Sequence, residues 1–344
     1  MDRRPTLTTV ATLAGVSRQT VSNVINTPEL VLPDTRERVL AAIESSGYRM
    51  NKAARQLRTR RSHQIGLGVR PAGEGASRQV LDQFLHTLVE QAQALDYRVL
   101  LFAVDNDETE IAACLDLQDT ADVDGFVLTD THADDARVAR LSERGIPFVT
   151  FGRPWGTGDA RHSWVDVDGR AGLVEATAHL ADLGYRRIAF IGWRGSESGA
   201  DRRDGWWAVL QDRGLAVDPL ERLVDGDSTA GAALAARELF AAGAEAIVCA
   251  SDALAIGALT VARELVARGE LAAPVGIVGF DDSPVGRALG LSSVAQPIDD
   301  VVHLVLTSLL DGLADAGRAP LARLVAPRLQ ARATSRFRLD DRAP

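Results

Sequence analysis

Cysteine is scarce. The 344 residues hold two, Cys114 and Cys249, far apart in the chain. That spacing offers neither a disulfide framework nor a metal pair, and it suits a reducing cytoplasm. The six histidines are scattered, so neither a metal nor another cofactor is expected. Lysine is nearly absent: of 38 basic residues only Lys52 is lysine, a bias that, with the abundant alanine, reads as genome composition. No run of about 18 apolar residues exists to span a membrane. No early stretch has the apolar core of a signal peptide. A cytoplasmic protein with no membrane partner is expected.

The signatures of common enzymes are missing as well. Gly66-Leu67-Gly68 begins like a dinucleotide fingerprint, but Pro71 stands where the third glycine belongs. Gly195-Ser196-Glu197-Ser198-Gly199 has Glu197 at the position a nucleophile elbow gives to serine. No Gly-Lys-Ser/Thr phosphate loop occurs. Asp281 and Asp282 are adjacent, so they tend to point apart rather than flank one bond.

What is present is an uneven charge. Residues 1–62 hold 11 basic and 5 acidic residues, a net +6, and the remainder holds 27 and 42, a net −15. A basic head on an acidic body points to a head that meets phosphate. Within it, Leu7 to Asn26 reads as two short helices broken by Ala14-Gly15-Val16. Val10, Ala11 and Leu13 give the first helix an apolar face. Gly15 can take the positive φ of a tight turn, and Ser17 can cap a second helix from Arg18 to about Val24. There Val21, Val24 and Ile25 face inward, leaving Arg18, Gln19, Ser22 and Asn23 outside. Arg can fork onto guanine, and Gln or Asn onto adenine, so this is a helix-turn-helix pattern. The bland alternative is a helical hairpin with a solvated polar face. A third helix, Arg36–Ser46, starts from Pro33-Asp34-Thr35, offers Val39, Leu40, Ala42 and Ile43 to a three-helix core, and ends at Gly47. Asn51 can cap a short helix from Lys52 to about Arg58, too short to be stable alone in water. Length and charge together divide the chain into a headpiece (1–49), a linker (50–62) and a large domain (63–344).

At this point the chain closely resembles the lactose-repressor (LacI) family of bacterial transcription regulators. The matches are Thr6-Leu7, Val10-Ala11, Ala14-Gly15-Val16-Ser17, Thr20-Val21-Ser22, Asn26, Thr35-Arg36-Glu37-Arg38-Val39, Gly47-Tyr48, Asn51 and Ala54-Arg55-Gln56-Leu57, in the family's order and spacing. The resemblance implies that Thr8, Ser17, Arg18, Gln19, Thr20, Ser22, Asn23, Asn26, Asn51, Ala54 and Leu57 meet DNA. Arg18 and Gln19 would carry sequence choice, with Ser17, Thr20, Ser22 and Asn26 mostly on phosphates. It further implies paired hinge helices in a dimer, with Leu57 as a minor-groove wedge beside the small Ala54. Met50 stands where many members have proline, which removes a helix-start preference from the hinge.

From His63 onward, apolar runs of about five residues alternate with helical stretches. The runs are Ile65–Val69, Val99–Ala103, Gly125–Thr129, Pro147–Phe151, Arg187–Ile191, Ala246–Ala250 and Val275–Phe280. The alternation predicts α/β architecture with parallel sheets. The polar stretch Arg153–Asp168 reads as part of a crossing between two similar lobes. The resemblance extends here to a periplasmic-binding-protein-like effector domain, with a third crossing near the helix Ile298–Leu313 and with Gln330–Ser335 resembling the family's last strand.

Ligands in such sheets sit beyond the carboxyl ends of strands. The residues there include Arg153, Trp193, Ser251, Asp281 and Asp282, with carboxylates, arginine forks and indoles suited to a polyhydroxylated ligand. The resemblance assigns effector contact to Arg202 in its Arg-x-x-Gly-aromatic motif, to Trp206 as that aromatic, to Asp281 and to Asp168. Ser251 stands where relatives have asparagine, and Ser228 where many carry a stacking aromatic, a role open to Trp155, Trp164 or Trp193. Each could instead be a strand-end polar residue capping the next helix. The expectation is a homodimer, or a higher oligomer, that binds a palindromic operator as a repressor and answers to a small molecule. A sugar or oligosaccharide comes first; a nucleobase, nucleoside or other metabolite is the alternative. A plain solute-binding protein and a sugar-processing enzyme are the competing classes.

Overall fold

The computed structural model describes residues 5–48, 61–70, 77–156, 160–215, 220–272, 274–315 and 317–336, with the backbone alone at 26 and 77–79. The chain divides into two units, Met1–Ser62 and His63–Pro344.

The first unit contains α1 (Leu7–Ala14), α2 (Arg18–Asn26) and α3 (Pro33–Ser46). Thr6 and Thr9 cap the start of α1 reciprocally. Gly15 ends it at φ 65°, and Ser17 caps α2 by accepting the Thr20 N–H. Val10, Ala11, Ala14, Val21, Val24, Val39 and Ala42 are buried together, flanked by Leu7, Ile25, Ile43 and Tyr48. Two expected core residues lie outside it: Leu13 is 59% and Leu40 51% exposed. Leu13 sits two residues past Ala11, about 200° round the helix, and Leu40 one past Val39, about 100° round. The inward stripe runs through Leu7, Val10, Ala11 and Ala14 instead.

The second unit begins with β1 (Gln64–Val69), α4 (Ser77–Ala94), β2 (Arg98–Ala103), α5 (Asp107–Asp119), β3 (Gly125–Leu128), α6 (Ala136–Glu143), β4 (Phe148–Phe151) and β5 (Ser163–Val167). Next come α7 (Gly169–Asp182), β6 (Ile188–Trp193), α8 (Glu197–Asp212), β7 (Glu221–Val224), α9 (Thr229–Ala241), β8 (Ala246–Cys249), α10 (Asp252–Ala267), β9 (Gly276–Phe280), α11 (Pro284–Ala288) and β10 (Ser292–Ala295). The unit ends with α12 (Ile298–Ala314), β11 (Ala322–Val325), β12 (Arg328–Gln330) and a 3₁₀ turn at Ala333–Ser335. One sheet has the order β2-β1-β3-β4-β5-β11 and the other β7-β6-β8-β9-β10-β12. Their paired strands are parallel except β12, which is antiparallel to β10.

Each sheet anchors one lobe. Lobe 1 packs α4 and α12 on one face, through Phe84, Leu88, Val301, Val305 and Leu309, and α5 and α6 on the other, around Cys114, Phe126 and Leu141. Lobe 2 has one continuous core that includes Leu173, Phe190, Trp206, Leu239, Val248, Leu254 and Phe280. The chain passes between lobes at Asp168, at Gln296-Pro297 and at Ala326-Pro327. The stretch Arg153–Asp168 is therefore mostly not a crossing, because Ser163–Val167 is a strand of sheet 1 between β4 and β11. Its alternation of Trp164 and Asp166 with the buried Val165 and Val167 is a half-buried strand pattern inside a polar segment. The last crossing precedes β12, and Ala333–Ser335 is a turn rather than strand: the Thr334 hydroxyl donates to the Ile277 carbonyl at 2.7 Å.

Two helix pairs in lobe 2 approach through glycine. A Cβ at Gly205 of α8 would lie 2.3 Å from the Arg170 carbonyl oxygen in α7, and one at Gly257 of α10 would lie 2.4 Å from the Thr229 oxygen in α9. Both obstacles are backbone, so the helices would have to part. Gly205→Ala should destabilise the second unit by about 1–3 kcal/mol or more, the cost of overpacking. Urea unfolding measures this. An unchanged midpoint would show that α7 and α8 have slack.

Candidate functional site

The DNA-binding candidates from Thr8 to Asn23 lie on α1, on α2 or in the turn between them. Thr8, Ser17, Arg18 and Gln19 are exposed, while Thr20, Ser22 and Asn23 are half-buried. Ser17 does two things: its hydroxyl accepts the Thr20 N–H at 3.0 Å and lies 2.9 Å from the Thr20 hydroxyl. Gln19 donates its amide to the Asn23 side chain at 3.0 Å, one turn on. That bond fixes both amides along the outer ridge of α2. Arg18 sits in the first turn, where a recognition helix meets base edges. The Asn26 side chain, and Asn51, Ala54 and Leu57 with the proposed hinge helix, lie outside the described residues.

The effector candidates gather at the carboxyl end of sheet 2. Arg202, from α8, lies over the Phe280 ring at 3.8 Å and beside the Trp193 indole at 5.4 Å. Its Nη1 donates to the Ala250 carbonyl at 2.5 Å and stands 3.9 Å from Asp281 Oδ1. Its Nε is buried with no hydrogen-bond partner. Asp281 follows β9 at φ 108°, and its carboxylate stands on the Arg202 side. Gln296, at the second crossing, donates to Asp281 Oδ1 at 2.7 Å. Burial pushes the Asp281 carboxyl well above the usual carboxylate range, opposed by the Arg202 charge. Burial also lowers the Arg202 guanidinium, opposed by Asp281 first and then by Asp166, Asp227 and Asp201. The result is a dry cation, an acceptor and an aromatic wall meeting at one point.

Three expected contacts have other roles. Trp206 is wholly buried, donates its indole N–H to the Ile188 carbonyl at 3.0 Å and stacks on Phe190. It is a core residue that packs α8 on the sheet, not a ligand wall. Ser251 is buried, caps α10 by accepting the Leu254 N–H at 3.2 Å, and donates its hydroxyl to Asp227. Asp168 caps α7, its Oδ1 accepting the Ala171 N–H at 2.9 Å.

Arg153 is a tie between lobes. Its Nε donates to Asp166 at 2.6 Å, both terminal nitrogens reach Asp201 of α8 at 3.3 Å, and Nη2 also donates to the Val167 carbonyl at 3.2 Å. The guanidinium rests over Trp155 at 4.7 Å. Every nitrogen is engaged, so no fork remains for a ligand. Asp201 in turn accepts the Arg170 N–H at 3.0 Å, and burial raises its carboxyl, with Arg153 opposing. A second bridge joins the lobes where Ala133 N–H donates to Glu197 at 3.1 Å.

The lobe 1 wall of the cleft is a charged network. Buried Arg137 donates to Glu110 at 2.7 Å and to Asp135 at 2.6 Å, while Arg70 pairs with Asp107 and Asp130. Asp107, His132 and Asp135 lie close enough together to suggest a cation site. Arg137 and Arg70 already neutralise the two carboxylates, and His132 Nε2 donates to Asp107 at 2.9 Å. These are structural ion pairs.

Reading by strand ends overlooked Asp227, Asp201 and Gln296. Asp227 follows β7 and accepts the Trp193 indole N–H at 3.1 Å as well as the Ser251 hydroxyl, so it orients the aromatic wall. The Gly226-Asp227-Ser228 turn was a visible signal for it. Gln296 follows Ser292–Ala295, a strand too polar to stand out. Asp201 lies next to Arg202 on α8, and its partners, Arg153 in lobe 1 and the Arg170 N–H of α7, are both distant in the chain.

Comparison with known proteins gives two family matches. Residues 80–297 match the family described as periplasmic binding proteins and sugar binding domain of the LacI family. Residues 6–51 match the bacterial regulatory proteins, lacI family. The HTH-type transcriptional regulator CelR of Thermobifida fusca is 35% identical over 343 residues, spanning 96% of this chain and 98% of that protein. A solved complex of a transcriptional regulator CelR with cellobiose superposes with a TM-score of 0.68 at 30% identity, covering 96% of this chain and 100% of that one. The lac repressor dimer bound to operator and the anti-inducer ONPF shares the fold, with a TM-score of 0.77 at 23% identity over 97% of this chain and 99% of its own.

Arg153→Ala should cost about 1–3 kcal/mol of stability, because Asp166 and Asp201 lose a charged donor where solvent replaces it poorly. Asp201→Asn should cost less, since the amide oxygen still accepts the Arg170 N–H. Unchanged stability in Arg153→Ala, with weakened effector binding, would return Arg153 to the ligand.

Proposed function

The chain belongs to the LacI family of helix-turn-helix transcriptional regulators with a sugar-binding domain, is thus a regulator and not an enzyme, and from that premise we propose that it is a dimeric repressor released or engaged by a sugar. In this reading residues 1–49 bind a palindromic operator, 50–62 form the hinge with Leu57 as its wedge, and 63–344 bind effector and pair the subunits. A cytoplasmic location fits a protein that meets DNA. Among the described residues, no helix is long and apolar enough to cross a membrane.

The observation that carries the effector reading is the unpartnered, buried Nε of Arg202 beside Asp281 and Trp193. A buried donor without an acceptor costs about 1–3 kcal/mol, and a ligand hydroxyl or ring oxygen would remove that cost. Asp281 accepts from a hydroxyl, Arg202 donates, and the indole covers an apolar ring face. The relative solved with cellobiose makes a sugar the first candidate.

The same residues touch the crossings. Gln296, bonded to Asp281, sits in the second, and a Cβ at Gly169 in the first would meet the Arg202 side chain at 3.1 Å. A ligand that pulls on Arg202 and Asp281 therefore acts on two of the three connections. If it prefers one lobe arrangement, a coupling of about 1–3 kcal/mol changes operator affinity several-fold to a hundred-fold.

Two experiments test this reading. Operator selected from random DNA should bind with a steep salt dependence. On it Arg18→Ala should lose roughly 1–3 kcal/mol while hardly changing affinity for random DNA. Equal losses on both would remove Arg18 from base readout. In the second, a thermal-shift screen of sugars and purines finds the effector, and Arg202→Ala and Asp281→Ala are titrated with operator in its presence. Both should bind operator normally yet fail to respond. Normal responses would move the effector site elsewhere.

A further inference from the structure

The lobe 1 loop that reaches lobe 2 carries a histidine whose two ring nitrogens both face acceptors. His132 Nδ1 lies 2.8 Å from the Ala133 carbonyl oxygen, and Nε2 lies 2.9 Å from Asp107 Oδ2. A carbonyl oxygen can only accept, and the Asp107 carboxylate, whose Oδ1 takes Arg70, is an acceptor too. Neutral imidazole has a single N–H. It can satisfy one of these contacts, while the other sets lone pair against lone pair; only the imidazolium makes both. The residue whose carbonyl holds the ring is also the one that reaches the other lobe: the Ala133 N–H donates to Glu197 of α8 at 3.1 Å. We propose that His132 is a proton-operated latch, its imidazolium fixing Ala133 where it bridges the lobes and loss of the proton releasing that bridge.

The surrounding charges favour the proton. The loop itself carries Asp130, Asp134 and Asp135, α5 brings Asp107 and Glu110, and lobe 2 adds Glu197. Against these stand Arg70, from the end of β1, and Arg137 of α6, both already paired with carboxylates. Burial would raise the Asp135 carboxyl, but Arg137 outweighs it and holds the group below its usual range, hence ionised. The Ala133 carbonyl raises the His132 ring above the ordinary histidine range; partial burial opposes it, and the Asp135 and Asp107 charges add to the rise. The ring is 35% exposed, so solvent protons reach it. Asp130 and Asp134 take φ of 55° and 58°, backbone that persists where surrounding contacts hold it. At the base of the loop the Thr131 hydroxyl donates to the Arg153 carbonyl at 3.0 Å, and Arg137 Nη2 donates to the Asp130 carbonyl at 3.1 Å. The tip is held by the His132 ring and the Glu197 bridge, so losing one loosens the other.

The sign follows from linkage. The bridged loop binds the proton more tightly than a released one. The latch is therefore fully in place below about pH 6.5, where a free histidine is also charged, and is lost as pH rises through the higher midpoint of the bridged state. The dependence is reciprocal: whatever breaks the Glu197 bridge lowers the affinity of His132 for its proton. An effector or operator that prefers either lobe spacing then binds with a pH dependence, whatever the effector is.

Nitroxide labels on Glu143→Cys in lobe 1 and Glu238→Cys in lobe 2 report the lobe spacing of the full chain by pulsed electron resonance. Cys114 and Cys249 are buried and stay unlabelled, and an excess of unlabelled chain keeps each measured pair within one subunit. The ratio of bridged to released spacing should rise about threefold or more from about pH 8.5 to about pH 5.5, the effect of a midpoint raised by about 0.5. In His132→Gln the spacing should not answer to pH. His162, lowered by burial and stacked on Phe148, remains in that variant, so a response that arises from it persists there. By NMR titration, Glu197→Ala should lower the His132 midpoint by about 0.3 or more, a twofold effect, and Glu197→Gln, which keeps an acceptor, by less. A spacing indifferent to pH in the unaltered protein, a pH response that survives in His132→Gln, or a His132 midpoint unmoved by Glu197→Ala would each overturn the latch.

Discussion

The chain passes between the two sheets three times, and that connectivity constrains everything the second unit can do. With one connection the lobes could swing freely. With three, at Asp168, Gln296-Pro297 and Ala326-Pro327, relative motion is confined to a few backbone torsions, and the helix α12 built after the second pass is buried in lobe 1. Hinge motions are absorbed at just such element ends. The Arg153–Asp166–Asp201 tie and the Ala133–Glu197 bond then set a particular spacing of the lobes.

The second organising fact is how the protein handles buried charge. Removing a charge from water is costly unless partners compensate. In lobe 1 the compensation is complete: Arg137 is encircled by Glu110, Asp135 and the Asp130 carbonyl. In lobe 2 it is short by one acceptor. Arg202 has an aromatic face, a carbonyl and a carboxylate at 3.9 Å, but its Nε has nothing. The difference separates a structural network from a binding site more sharply than composition does, since both walls are rich in Arg and Asp.

Much of the architecture was legible in the sequence because it follows from short-range rules. Gly15 and Gly47 take positive φ, Ser17 caps α2, and apolar runs alternating with amphipathic stretches give parallel sheets. The rules failed where polar strands carry little apolar signal. Ser163–Val167 and Ser292–Ala295 carry too few apolar residues to stand out as strands, which leaves the first crossing and the Gln296 that follows β10 unmarked in the sequence. Leu13 and Leu40 show the same limit inside a helix, where a residue's type suggested burial and its angular position denied it.

The sequence by itself pointed to the family, to the helix-turn-helix with Arg18 and Gln19 on its outer face, and to Arg202 and Asp281, each within its own short motif. These are written in local spacing, which the backbone reads within a turn or two. Only the tertiary structure decided which polar residues are free to meet a ligand. Trp206 and Arg153 have the right chemistry, but packing on Phe190 and ion pairing with Asp166 and Asp201 consume them. Asp227, in the turn after β7, holds Trp193. A side chain's hydrogen-bonding capacity is fixed by its type, but how much of it remains unspent depends on neighbours that are distant in the chain.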